Sequence, residues 1–192
     1  EVAIRLILVG NNNLIEFLNP ATDPFNGNFN SGVLIAESQS VITSNIGTGN
    51  FDIGHTFSTG GGGLAGLGVV CNPSQKARGI TGSPVPVGDA YDIDYVAHEM
   101  GHQFGATHSF NSNGFGCGGN RSGSSAYEVG SGTTIMGYAG ICGTDNIQPN
   151  SDPYFHAISF DQIGTYIDNG GSFCRGVINT GNNPPSITAM DN

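Results

Sequence analysis

Residues 98–108 read HEMGHQFGATH. They close DIDYVAHEMGHQF, a stretch whose pattern predicts a helix over residues 92–104. Asp92 and Asp94 stand near its start, where the helix dipole favours negative charge. His98 and His102 are four positions apart, so both rings leave one face of that helix and can share a metal ion. Gly105 ends the helix, because without a Cβ it can take the left-handed conformation that turns the chain sharply. The turn can bring His108 back as a third ligand. Three imidazoles leave one corner of a tetrahedral Zn²⁺ open, as a catalytic site requires, whereas a structural site is more often closed by a fourth protein ligand. Glu99 follows the first ligand and projects beside the metal, where it can take a proton from a metal-activated water. Chance would place these five residues at these offsets with a probability on the order of 10⁻⁵.

Outward from this stretch, the upstream chain reads as short strands and one helix. VAIRLILVGNNNLIEF is β-branched and Leu-rich and predicts one or two strands, at least one of them buried. ATDPFNGNFNSG is a loop by its Pro, Gly and Asn content. Residues 32–46 carry Leu34, Ile35, Val41, Ile42 and Ile46 at spacings that suit an amphipathic helix. FDIGHTF is a short strand, STGGGG a flexible turn and GLAGLGVVC a strand whose glycines suit close approach of another backbone. KARGITG adds one more short strand. Downstream, residues 106–155 are Gly, Ser and Asn-rich and predict irregular structure. Ser159 and Gln162 form a capping box for a last helix running to about Asp168. The end, GNNPPSITAMDN, reads as a linker over residues 177–192 to a further C-terminal module.

Composition narrows the function class. The chain has 192 residues, about one domain's worth. Five Lys and Arg against fifteen Asp and Glu give a net charge of −10. So acidic a chain is repelled by nucleic acid and by anionic lipid, whose phosphates need clustered Lys and Arg. The apolar runs fall far short of the ~20 residues a membrane helix needs. Four dispersed cysteines (71, 117, 142, 174) include no C-x-x-C pair. That suggests two disulfides in an oxidising compartment, with four buried free thiols as the alternative.

HExxHxxGxxH resembles the zinc-binding motif of the metzincin metalloproteases. That family also has a methionine turn beneath the zinc. Here TIMGYAG places Met136 28 residues after His108. FDIGHTFSTGGGGLAGLGVVC, GITG and VAHEMGHQFGATH are similar to the reprolysin-like (adamalysin-like) branch in a bacterial-type version, over residues 2–174. The resemblance implies an α+β metzincin fold. Its upper subdomain, to about residue 105, would carry a twisted mixed sheet of the five-stranded type with helices. An irregular lower subdomain, about residues 106–176, would carry a C-terminal helix. The catalytic domain would then span residues 1–176, with the substrate cleft between its two parts. Gly63, Leu64, Ala65, Gly66 and Leu67 would be the edge strand that pairs with an extended substrate. Met136 would form an apolar floor under the imidazoles.

The chain also departs from the branch. Many reprolysins place Asp after the third His; here it is Ser109. Tyr138, two residues after Met136, is similar in spacing to the astacin and serralysin branches, which makes it a candidate fifth ligand or oxyanion donor. Its alternative is an ordinary loop Tyr. A strand and a long helix that normally precede the segment resembled by residues 2–17 are not in this sequence. They would lie on a nicked N-terminal fragment, or the opening segment would replace them. The resemblance further implies Cys71–Cys174 and Cys117–Cys142 bridges.

These readings point to a secreted zinc endopeptidase of polypeptide substrates that uses Glu99 as general base and is made as a zymogen with a pro-segment. The alternatives are a protease-like binding or adhesion module without turnover, and a zinc hydrolase of a non-peptide amide or ester. Intact Glu99 argues against the first alternative. Asp145, Asp152 and nearby Asn residues are candidates for Ca²⁺, although their spacing matches no calcium loop. Asn120-Arg-Ser is a glycosylation sequon. His55 and His156 are left without a role in the site.

Overall fold

The structure, a computed structural model, describes residues 4–169 together with residues 171, 174, 176, 178 and 181. The linker expected over residues 177–192 lies almost wholly outside the described residues.

Helix α1 (Ser31–Ile46) forms where the apolar spacing predicts it. Asn30 caps it by accepting from the Val33 N–H at 3.2 Å, and Gly47 closes it at φ +83°. Its buried face, with Leu34, Ile35, Ser38, Val41, Ile42 and Ile46, covers the sheet. Ser38 meets the requirement for a partner by donating to the Ala77 carbonyl at 2.7 Å.

The sheet has three strands, β1 (Thr56–Ser58), β2 (Gly62–Ala65) and β3 (Gly79–Gly82), in the order β1-β3-β2. β1 runs parallel to β3 and β2 antiparallel to it, with Thr56 opposite Ile80 and Gly62 opposite Gly82. β3 is central and wholly buried, which leaves β2 as an edge. The helices and small mixed sheet give an α+β fold, with three strands among the described residues rather than five. The missing extent is in the opening segment. Residues 4–9 are irregular, with Leu6, Ile7 and Leu8 51–76 % exposed, and a 3₁₀ turn (Asn12–Ile15) follows. β-branched composition measures how well a chain suits a pleated, half-buried surface; it does not supply a neighbouring strand. Among the described residues none pairs with this segment. Ile4 packs against the cluster of Ala106, Ile135, Met136 and Ile163, and Val9, with Ile15 of the turn, against that of Ile42, Ile46, Phe51 and Ala77.

β2 stops at Ala65, short of the strand expected through residue 71, because the chain is diverted to another task. Gly68 (φ +61°) turns it onto the end of helix α3 (His98–Gln103). There the N–H groups of Gly68 and Val69 donate to the His102 and Gln103 carbonyls, both at 2.9 Å. The His102 carbonyl also accepts from the Gly105 N–H of the closing turn at 2.8 Å, so this loop and that turn together cap the C-terminus of the helix. α3 continues a helical run that begins with α2 (Asp89–Tyr91) and passes through a π-helical stretch (Asp92–Ala97). Helical structure therefore spans residues 89–103, a little earlier than the pattern predicts.

After Gly105 the chain is irregular, held by turns, a bridge between Phe110 and Glu128, and a disulfide joining Cys117 to Cys142. A second disulfide joins Cys71 to Cys174. The last helix, α4 (Ala157–Asn169), starts two residues before Ser159. His156 caps it, accepting from the Ile158 N–H at 3.1 Å through Nδ1. Ser159 is instead buried inside the helix with its hydroxyl unpaired. α4 brings Ile163 onto Ala106, Ile135 and Met136.

Candidate active site

The spacing of four puts His98 and His102 on one face of α3, with ring centroids 4.8 Å apart. Gly105, at φ +93°, then reverses the chain. The His108 ring returns to 5.2 Å from His98 and 4.7 Å from His102. The ligand nitrogens of all three lie within 4.8 Å of one another.

Each ring is aimed by a backbone carbonyl. His98 Nδ1 donates to the Ile135 carbonyl at 2.7 Å, His102 Nδ1 to Ala106 at 2.7 Å and His108 Nδ1 to Asn120 at 2.6 Å. A carbonyl oxygen can only accept, so Nδ1 carries the proton and a neutral ring keeps its lone pair on Nε2. His102 Nε2 and His108 Nε2 stand 3.1 Å apart. Two lone pairs at that distance repel unless a proton or a cation lies between them. A proton is disfavoured. Burial, then the neighbouring rings, push His98 well below its ordinary value and His102 down to about 4; burial lowers His108 as well. The donor set therefore fits a divalent cation of borderline softness such as zinc. Among the described residues it is the one cluster of three or more metal-type side chains. Calcium finds no such support: Asp145 accepts from Ser112 Oγ at 2.6 Å, and Asp152 accepts from the Tyr154 hydroxyl at 3.0 Å.

Met136 is fully buried beneath α3, and its sulfur reaches the helix because Gly101 has no side chain there. A Cβ on Gly101 would lie 2.6 Å from Met136 Sδ. Gly63 plays the matching role above the helix. A Cβ on it would lie 2.2 Å from Glu99 Oε1 and 2.5 Å from Cγ and Cδ, so the carboxyl is seated directly against β2. Burial raises Glu99 to about 8. The Tyr138 ring lies 5.4 Å from His98 and 4.6 Å from His108, and burial, with Glu99, pushes its hydroxyl up to about 12, so it remains a donor.

Gly62, Gly63, His98, Glu99, Tyr138 and Ile141 line one cleft of about 500 Å³. Of the five residues expected to form the substrate strand, Gly63 alone lines it. Leu64 and Ala65 complete β2, Gly66 donates to the Arg78 carbonyl at 2.8 Å, and Leu67 lines a separate groove beside Tyr166. A larger cavity of about 950 Å³ lies between residues 6–9, α1 and β1, but no residue of the His triad lines it. Donor chemistry, not volume, locates the site.

Other residues support the site without a trace in the motif. His55 is held between Gln103 Oε1 (2.8 Å) and Thr81 Oγ1 (2.7 Å), which ties β1 and β3 to α3. Burial is the larger influence on it and lowers it to about 4, so it is neutral in use. The three carbonyls that orient the imidazoles belong to Ile135, Ala106 and Asn120, and backbone acceptors leave no signature in sequence. Glu128, unremarked in the sequence, collects hydrogen bonds from both sides of the site. Burial alone would raise it, but donors from Ser109, Thr133 and Thr134 outweigh that and hold it below the usual carboxylate value.

No helix among the described residues is long and apolar enough to cross a membrane. No curated protein matches the chain. Residues 1–165 match the family described as metallo-peptidase family M12B, reprolysin-like, and the chain belongs to that family.

Proposed function

We propose that this metallopeptidase is a secreted zinc endopeptidase in which Glu99 is the general base. The observation that carries the reading is the commitment of all three Nδ1 atoms to backbone carbonyls, which leaves three Nε2 lone pairs converging beside one buried carboxyl. Bound by His98, His102 and His108, zinc would supply Lewis-acid polarisation of a water and of the scissile carbonyl. Residues 1–176 would act as the catalytic domain, divided near residue 105 into two subdomains that flank the cleft. The two disulfides and the acidic, unclustered charge support an extracellular setting.

An extended peptide binds antiparallel or parallel to the open edge of β2 through main-chain hydrogen bonds. Glu99 accepts the proton of the attacking water on its carboxylate and passes it to the leaving amine. Its elevated value of about 8 reflects burial without a compensating charge. With a divalent cation held by the three imidazoles, Glu99 would be ionised more readily and would act as a base at neutral pH. Tyr138, a phenol throughout that range, donates to the oxyanion as negative charge develops. Met136 and Gly101 keep the floor beneath the ligands dry and close-packed.

The test is Glu99→Ala, assayed on a peptide library with mass-spectrometric readout and for zinc content. The variant is expected to bind zinc and cleave nothing. Cleavage at the wild-type rate would overturn the role of Glu99. A wild-type chain that binds zinc but cleaves no member of the library would leave a binding module instead.

A further inference from the structure

Glu128 stands between the segment that follows His108 and the turn that carries Ile135 and Met136. Its main chain brackets the residues after His108: its N–H donates to the Ser109 carbonyl at 2.8 Å, and its own carbonyl accepts from Asn111 at 2.9 Å. Its side chain reaches the other way. Oε1 accepts from the N–H groups of Thr133 (2.9 Å) and Thr134 (3.1 Å). Oε2 accepts from the Thr134 hydroxyl at 2.6 Å and from the Ser109 hydroxyl in a short contact. Thr134 directly precedes Ile135, whose carbonyl aims His98, and Met136, whose carbonyl accepts from the Ser109 N–H at 3.0 Å. Ser109 directly follows His108.

Four donors converge on one side chain, two amides and two hydroxyls. A carboxylate has about four acceptor sites on two oxygens and can satisfy all of them. A carboxamide offers acceptors at one end only. Among the described residues no Lys or Arg pairs with the Glu128 carboxylate, whose acceptors are taken up by these four groups. Ser109, at the position where many reprolysins carry Asp, supplies a hydroxyl to a carboxylate that comes from elsewhere in the chain.

Resting on the zinc-peptidase reading above, we propose that Glu128 is a positioning residue of the metal site, clamping the third-ligand segment to the turn that carries Ile135 and Met136. It touches neither metal nor substrate. It acts by holding the carbonyl that aims His98 and the segment that delivers His108 in one fixed relation. Outer partners of metal ligands are worth this much because the ligand set must keep its geometry to within a fraction of an ångström.

The test compares wild type with Glu128→Ala, Glu128→Gln and Ser109→Ala, at a temperature where each is folded by circular dichroism. Zinc affinity is read by chelator competition, and site geometry by the visible d–d bands of the Co²⁺-substituted proteins. Glu128→Ala is expected to weaken zinc binding by about 10–100-fold and to shift the Co²⁺ bands. Glu128→Gln, which keeps the acceptor for Thr133 and Thr134, is expected to fall between, and Ser109→Ala to move both readouts slightly in the same direction. If Glu128→Ala does not fold, Glu128→Gln and Ser109→Ala carry the same expectation. Variants with lowered melting temperature but wild-type zinc affinity and an unchanged Co²⁺ spectrum would reduce Glu128 to a structural residue and overturn the proposal. A wild-type chain that binds neither Zn²⁺ nor Co²⁺ would remove the reading of the site along with it.

Discussion

Replacing Gly63 by alanine places a methyl carbon where the Glu99 side chain already lies. The new Cβ would stand 2.2 Å from Oε1 and 2.5 Å from Cγ and Cδ, against ordinary contacts of 3.4 Å or more. Relief needs a displacement of about 1 Å, and because Cγ clashes as well as the carboxyl tip, rotation of the end of the side chain does not suffice. A misplacement of about 1 Å costs on the order of 100-fold in rate when it moves a reacting group. Zinc binding should survive, since none of the three nearest contacts at Gly63 belongs to an imidazole. The assay is kcat and KM on a fluorogenic peptide beside zinc content by elemental analysis. Gly61→Ala, a position with nothing within 4 Å of its Cβ, is the control and should match wild type. A Gly63→Ala enzyme within threefold of wild type would refute the seating of Glu99 against β2.

Three further outcomes are expected. The metal-free protein should be most stable near pH 6.5. His102 titrates near 4 when folded against 6.5 unfolded, so its contribution, about 3 kcal/mol in full, is present above pH 6.5 and lost as pH falls toward 4. His98 and His108 are lowered and act in the same direction. Glu99, raised to about 8, does the reverse, favouring folding at low pH and losing that contribution as pH rises from about 4.5 to 8; thermal denaturation in chelator across pH 4–9 reads the balance. Replacing Cys117 and Cys142 by serine opens a loop of 25 residues, and loop-closure entropy puts the loss at about 3.5 kcal/mol by urea denaturation. Ser159→Ala removes a buried hydroxyl that has no partner and should stabilise the protein by about 1 kcal/mol in the same assay.

The site was more legible in the sequence than the sheet was. Metal ligation demands side chains of fixed type at fixed offsets, so His98, His102 and His108 declare themselves, and Gly105 between them explains how the third arrives. α1 was legible too, since a single face of Leu34, Ile35, Val41 and Ile42 has one reading. Residues 4–9 were not, because their strand-like composition says nothing of whether a partner strand lies alongside. The start of α4 was misread for a different reason. Ser159 and Gln162 satisfy the capping pattern, but His156 offers its ring nitrogen one turn earlier, and the hydroxyl is carried inside. The groups that aim the imidazoles were invisible because they are carbonyls, and Glu128 was invisible because two main-chain N–H groups and the hydroxyls of Ser109 and Thr134 make no recognisable spacing pattern around it. Gly63 was noticed for the edge strand it occupies, while the clearance it gives Glu99 emerged only in three dimensions.

X-ray absorption at the zinc edge on the purified, active protein tests the central claim most directly. Three imidazole nitrogens at about 2.0–2.1 Å, counted from the outer-shell scattering of their rings, with one oxygen ligand completing the shell at one zinc per chain, is the predicted result. Sulfur scatterers, four protein nitrogens, or a spectrum unchanged by His98→Ala, His102→Ala and His108→Ala would contradict it.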